Sequence, residues 1–189
     1  MKKEEKEIWL HLGCGKRNIP GFINIDLADY SHIDYRQKVD DLSNFKDGSV
    51  DLIYASHIFE YFDRVEAERV LREWGRVLKK GGTLRLAVPD FEALVGIYQK
   101  YQDLNLIKGP LYGRWEIPGT EKVVYHKTVY DFQSLRRILE ENGFEKVERY
   151  NWRERDPHKD YDDYSQSYIP HMDKEKGKLI SLNVEAVKS

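Results

Sequence analysis

The sequence has one cysteine, Cys14, so no intrachain disulfide can form, which fits a reducing compartment and predicts a cytoplasmic protein. No apolar run approaches the length needed to cross a bilayer, and no membrane insertion is expected. The opening Met1–Glu7, MKKEEKE, has no apolar stretch behind it, so no secretory signal is expected. Charge of neither sign dominates: 31 basic against 33 acidic side chains leave −2, and no dense basic stripe calls for nucleic acid. Internal repeats, low-complexity tracts and Pro/Gly/Ser linkers are also missing, which predicts a single domain over residues 1–189. The histidines and aspartates of Trp152–His171 lack tight ligand spacing, so no metal is predicted.

Strand and helix patterns alternate through most of the chain. Ile8–Leu12, Phe22–Ile25 and Val50–Ala55 read as strands, with a weaker candidate at Arg36–Val39. Asp63 to Lys80 reads as a helix, with Asp63 and Glu66 forming a capping box. Val70, Leu71, Trp74, Val77 and Leu78 make its apolar face, and Gly81-Gly82 its stop. Thr83–Val88 is a further strand. Helices follow from about Phe91 to Tyr101 and after Asp131, and Lys146–Tyr150 and Leu179–Val187 are two closing strands with no helix between them. The pattern argues for a mostly parallel α/β sheet with helices on both faces and an antiparallel finish.

The segment Ile8–Leu27 carries the chemistry. An apolar strand runs into Gly13-Cys14-Gly15, and a second apolar run closes on Asp26. Glycines let a ligand lie against bare backbone, and a carboxylate at a strand tip can accept both hydroxyls of a ribose. The third glycine of a dinucleotide fingerprint is replaced by Asn18, and there is no Gly-Lys-Ser/Thr phosphate loop. Only ten residues, Gly13 to Phe22, join the two strands, too few for a full crossover helix.

This corner resembles the class I S-adenosylmethionine (SAM) dependent methyltransferases, specifically small, type 11-like members with a Gly-Cys-Gly turn. The stretch Asp47–Ile53 and the segment Ser56-His57-Ile58-Phe59-Glu60-Tyr61 are similar to that family too, with Tyr61 where the family's Ser-His-x-x-Glu-His has a second histidine. The resemblance implies an open seven-stranded Rossmann-like sheet, order 3-2-1-4-5-7-6, with the last strand antiparallel and a shortened first crossover. It implies SAM as cofactor, held by Gly13, Cys14, Gly15, Asp26, Leu27, Ser56 and His57. Asp40 and Asp41 compete for the adenine contact, while alignment from Leu42 would put Lys38 at the usual acidic place.

An oxygen acceptor needs a base near its proton, and in an open sheet such groups lie at the carboxyl ends of the strands. The candidates are His57, Asp90 and His126, with His57 first by position. Asp90 has a second reading as a helix cap. Two loops are candidates to close the site. An aromatic-rich insertion at about 98–130 carries Tyr101, Tyr112, Trp115, Tyr125 and Tyr130 with Arg114 and Glu116. A loop at about 151–178 contains Asp156, His158, Asp160, Asp162, Asp163 and His171. The expectation is a methyltransferase acting on a small polar acceptor, such as a sugar or sugar nucleotide in surface polysaccharide synthesis. The alternative is a catalytically inactive, methyltransferase-like binding or regulatory protein.

Overall fold

In chain order the main elements are β1 (Trp9–Leu12), β2 (Ile23–Asp26), β3 (Tyr35–Arg36), β4 (Val50–Ser56), α1 (Arg64–Val77), β5 (Leu78–Pro89), α2 (Phe91–Tyr101), α3 (Asn105–Tyr112), α4 (Phe132–Glu141), β6 (Phe144–Arg149) and β7 (Ser181–Lys188). The structure is a computed structural model that describes residues 7–155 and 161–189. Seven strands form one sheet in the order β3-β2-β1-β4-β5-β7-β6. Neighbours from β3 through β5 pair in parallel, and β7 runs antiparallel to both β5 and β6. No helix among the described residues is long and apolar enough to cross a membrane.

Alternation along the strands divides the sheet into two unlike faces. Leu10, Leu12, Ile53, Leu84, Leu86, Leu182 and Val184 join the apolar faces of α1 and α4 in the largest core cluster. At α1, Ala67, Val70, Leu71, Trp74 and Val77 are buried, and each large side chain among them contributes about 1.5–3 kcal/mol. Trp74 Nε1 donates to the Val39 carbonyl at 2.8 Å, which ties α1 to the segment that follows β3.

The opposite face is more polar. His11, Tyr54, Arg85, Asn183 and Glu185 alternate with the core residues there, and no first-crossover helix covers them. The connection Gly13–Phe22 consists of turns, as its length predicts, and packs Ile19 and Phe22 onto Leu52 and Tyr54, with Tyr161 alongside. Residues 161–167 complete the cover, and Asn183 Nδ2 donates to the Ser165 carbonyl at 2.9 Å.

Three elements depart from the sequence reading. The α1 helix stops at Val77 rather than Lys80 because Gly48 N and Ser49 N, each at 2.9 Å, take the carbonyls of Arg76 and Val77. Leu78 then pairs with Val50, so Lys79–Gly82 belong to β5, and Lys79 Nζ meets Asp51 at 2.6 Å. The third strand sits at Tyr35–Arg36, because Val39 turns inward under Trp74. The segment after α2 contains α3, with Pro110 inside it, and an antiparallel pair, Trp115–Glu116 with Val123–Val124.

Candidate active site

A cavity of about 1060 Å³ opens at the carboxyl ends of β1, β2 and β4. Its first wall is the glycine turn after β1. Gly13 has φ +66°, and a side chain there would also meet Ile58 at 2.8 Å, so conformation and contact both exclude one. Gly15 has φ +52° but open space around it. Its amide donates to Asp26 Oδ2 at 2.8 Å, and the Ala28 amide donates to Asp26 Oδ1 at 2.8 Å. The carboxylate is thereby oriented and still has two lone pairs for further donors. Cys14 is buried, and its thiol is pushed up to about 12 by burial first and the nearby Asp26 second, so it stays protonated. Leu27 lines the same cavity.

His57 follows β4 in a left-handed conformation, φ +52°, held by its amide donating to the Ala87 carbonyl at 2.7 Å. That strained backbone turns its imidazole into the cavity. Beside it, Ser56 Oγ is buried with no hydrogen-bond partner among the described residues. The roof comes from the insertion. Gly113, Trp115 and Tyr125 line the cavity, and His126 lies with its ring edge-on to Tyr61 at 4.7 Å. Two anchors hold this roof down. Lys127 N donates to the Glu60 carbonyl and Lys127 Nζ binds Glu66, while Asp29 N and Arg36 Nη2 reach the carbonyls of Pro118 and Gly119.

Residues 24–86 match the sequence family described as a methyltransferase domain. The chain carries the fold of the class I, SAM-dependent methyltransferases, with the matched methyltransferase segment at its centre. No curated protein matches it in sequence. Among solved structures it is similar to a SAM-dependent methyltransferase of Thermotoga maritima (18% identity, TM-score 0.62, 98% of this chain and 84% of that one). It is also similar to a SAM-dependent methyltransferase of Archaeoglobus fulgidus (16%, 0.60, 96% and 86%). A third is the Burkholderia thailandensis 1,6-didemethyltoxoflavin N1-methyltransferase, solved with its substrate and S-adenosylhomocysteine (11%, 0.55, 96% and 71%). At these identities the likeness establishes the fold.

The residues lining the cavity fit SAM, the cofactor of that family, on three observations. A side-chain-free turn faces the cavity, Asp26 keeps free lone pairs at the tip of β2, and the buried Ser56 Oγ lacks a partner. Bound there, SAM supplies a methyl carbon on a positively charged sulfur.

The remaining sequence candidates separate cleanly. Lys38 and Asp40 both line the cavity, whereas Asp41 does not. The Asp41 carboxylate turns to the Ser43 amide at 3.2 Å and is held low by the side-chain and backbone hydrogen bonds of Ser43. Asp90 also lies elsewhere: its Oδ1 accepts from Glu92 N and Ala93 N at the start of α2, and Arg149 reaches its Oδ2 at 3.3 Å. It is a helix cap outside this cavity. In the second loop, Asp156, His158 and Asp160 fall outside the described residues, His171 is exposed, and Asp163 and Tyr164 line the cavity.

Two participants carry no individual role in the sequence reading, although both stand in segments it names. Glu60 is buried against both cavity histidines, and Asp163 caps the 164–166 turn under Tyr54. Glu60 was visible inside the Ser-His-x-x-Glu motif, but nothing in the sequence shows that its carboxylate points inward.

Proposed function

We propose that this protein is a methyltransferase acting on a small, protic, polar acceptor of the sugar or sugar-nucleotide class, in the cytoplasm, with residues of about 98–130 as its acceptor lid. The observation that carries the reading is the composition of one cavity. Trp115 and Tyr125 from the roof, and Tyr164 from the second loop, share it with the Asp26 corner and with His57 and His126. Flat aromatic faces suit sugar rings, and Lys16 and Lys122 add positive charge that suits a phosphorylated acceptor.

In this reading Asp26 receives the ribose hydroxyls, and the bare backbone of Gly13, Cys14 and Gly15 lies against the nucleoside. Leu27 and Asp40 flank the adenine end, and Asp41 has no part. Ser56 and His57 face the methionine end. The chain's own work in the reaction is to align the acceptor, keep water out under Trp115, Tyr125 and Tyr164, and hold the proton that the acceptor loses. The histidines beneath the roof hold that proton.

Calorimetry with SAM and with S-adenosylhomocysteine tests the cofactor assignment, and failure to bind either sinks it. A mass-shift screen of sugars and sugar nucleotides with methyl-labelled SAM tests the acceptor class. Turnover of another chemical class with no sugar labelled would retire the sugar reading and leave the cofactor site standing.

A further inference from the structure

Glu60 sits in the 3-10 turn Phe59–Tyr61, three residues after His57, and is fully buried. Neither of its carboxylate oxygens accepts a hydrogen bond among the described residues. The basic groups beside it are His57 Nδ1 at 3.3 Å and His126 Nε2 at 3.6 Å, both facing Oε1. A buried carboxylate so placed is costly unless a cation or a proton accompanies it.

The outer hydrogen bonds show where the ring protons are. His126 Nδ1 lies 2.9 Å from the Pro110 carbonyl, which can only accept, so that nitrogen carries hydrogen. On the other side, Asn183 Nδ2 donates to the Ser165 carbonyl, which turns Asn183 Oδ1 toward Ser181. The Ser181 hydroxyl donates to Oδ1 at 2.9 Å, so its oxygen accepts from His57 Nε2 at 3.1 Å. Each neutral ring has then placed its one hydrogen away from Glu60. Two bare ring nitrogens and a carboxylate oxygen would face one another, and at least one further proton has to lie among them.

We propose that His57, Glu60 and His126 form a proton-holding cluster in which Glu60 keeps His57 as the imidazolium and His126 is the neutral base that takes the acceptor's proton. The closer approach of His57 to Glu60 places the resident proton on that side. His126 is held below the ordinary histidine range, by burial first, with Glu60 and the Pro110 bond opposing. The other groups facing the cluster are phenols: Tyr61 edge-on to His126, Tyr130 beneath, and Tyr164 against His57. Burial first, and Glu60 second, push the Tyr61 and Tyr130 phenols up, so both stay protonated. The Lys127 ammonium is turned to Glu66 instead. Gly113 passes directly over His126, where a side chain would overlap Nε2, so only glycine lets the ring hold this position.

The role in turnover rests on the function proposed above, whereas the proton count does not. In turnover the acceptor's X–H bond breaks, its electron pair becomes the new X–C bond, and the C–S pair returns to sulfur. The proton joins the Nε2 lone pair of His126, and Glu60 then lies between two imidazoliums until that proton leaves to solvent. Glu60 is a positioning residue, since it acts through the two rings. His57 loses the part of a free base, because it already carries the resident proton between Glu60 and Ser181.

The test is an NMR titration of ¹⁵N-histidine-labelled protein, with the rings assigned from His57→Gln and His126→Gln. The expected result near neutral pH is His57 protonated and His126 neutral. In Glu60→Gln the His57 midpoint falls by about 1–3 pH units, the loss of an adjacent opposite charge. Two neutral rings in the unaltered protein, or unmoved midpoints in Glu60→Gln, would overturn the cluster. If Glu60→Gln does not fold, the unaltered protein decides alone. Calorimetry with S-adenosylhomocysteine on the same sample keeps the questions apart: absence of binding there sinks the function and leaves the proton count intact.

Discussion

The hydroxyl of Tyr54, near the carboxyl end of β4, donates to Asp163 Oδ2 at 2.5 Å, 109 residues along the chain. That bond fastens the late segment 161–167 onto the sheet face that a first-crossover helix would otherwise cover. Burial first, then Asp163, raises the Tyr54 phenol well above its ordinary range, so it remains a donor at any physiological pH. Tyr54→Phe should cost about 1.5–3 kcal/mol, the worth of a hydrogen bond to a charged group. Chemical denaturation measures the loss, and because Asp163 and Tyr164 line the cavity, SAM affinity should fall with it.

Asp26 holds two backbone amides and is the proposed ribose acceptor. Asp26→Ala should weaken SAM binding by about 10–100-fold, equivalent to losing about 1.4–2.8 kcal/mol, as read by calorimetry. Unchanged affinity would remove Asp26 from the site.

The two glycines of the turn should differ. Gly15→Ala meets open space and carries only the left-handed strain, about 1–2 kcal/mol. Gly13→Ala adds a 2.8 Å overlap with Ile58 and should be the more destabilising of the pair. Thermal unfolding of both variants, side by side, checks the order.

His11 is fully buried between Tyr54 and Phe22, and its pKa is lowered to about 3, mainly by desolvation. Below about 6.5 the unfolded chain binds a proton at this position that the folded chain refuses. Stability from this residue is therefore full above that pH and falls toward pH 3, by about 1.4 kcal/mol per unit. His11→Phe should flatten this acid limb in denaturation curves taken from pH 7 to about pH 4. An unaltered slope would place the acid sensitivity elsewhere.

Local chemistry was readable from the chain wherever a few adjacent residues decide it. The glycine turn, the carboxylate ending β2, the Asp63 capping box and the lack of a crossover helix all follow from residues close in sequence. The sheet order 3-2-1-4-5-7-6 came through resemblance, because periodicity marks strands without ranking them. Other features depend on groups far apart. Asp41 looked as suitable as Asp40 until the Ser43 turn took its carboxylate. Asp90 ends a strand as a catalytic residue would, yet the amides of α2 and Arg149 occupy it.

The sequence by itself therefore determined the methyltransferase resemblance, the bare corner for a nucleoside and the need for a substitute for the first helix. Only the tertiary structure decided what that substitute is, by closing Tyr54 on Asp163. It alone brought His126 from the insertion to within 3.6 Å of Glu60. The physical reason is common to both. A buried polar group is satisfied by whatever partner the packing brings, and neither spacing nor composition records a partner that arrives from over sixty residues away.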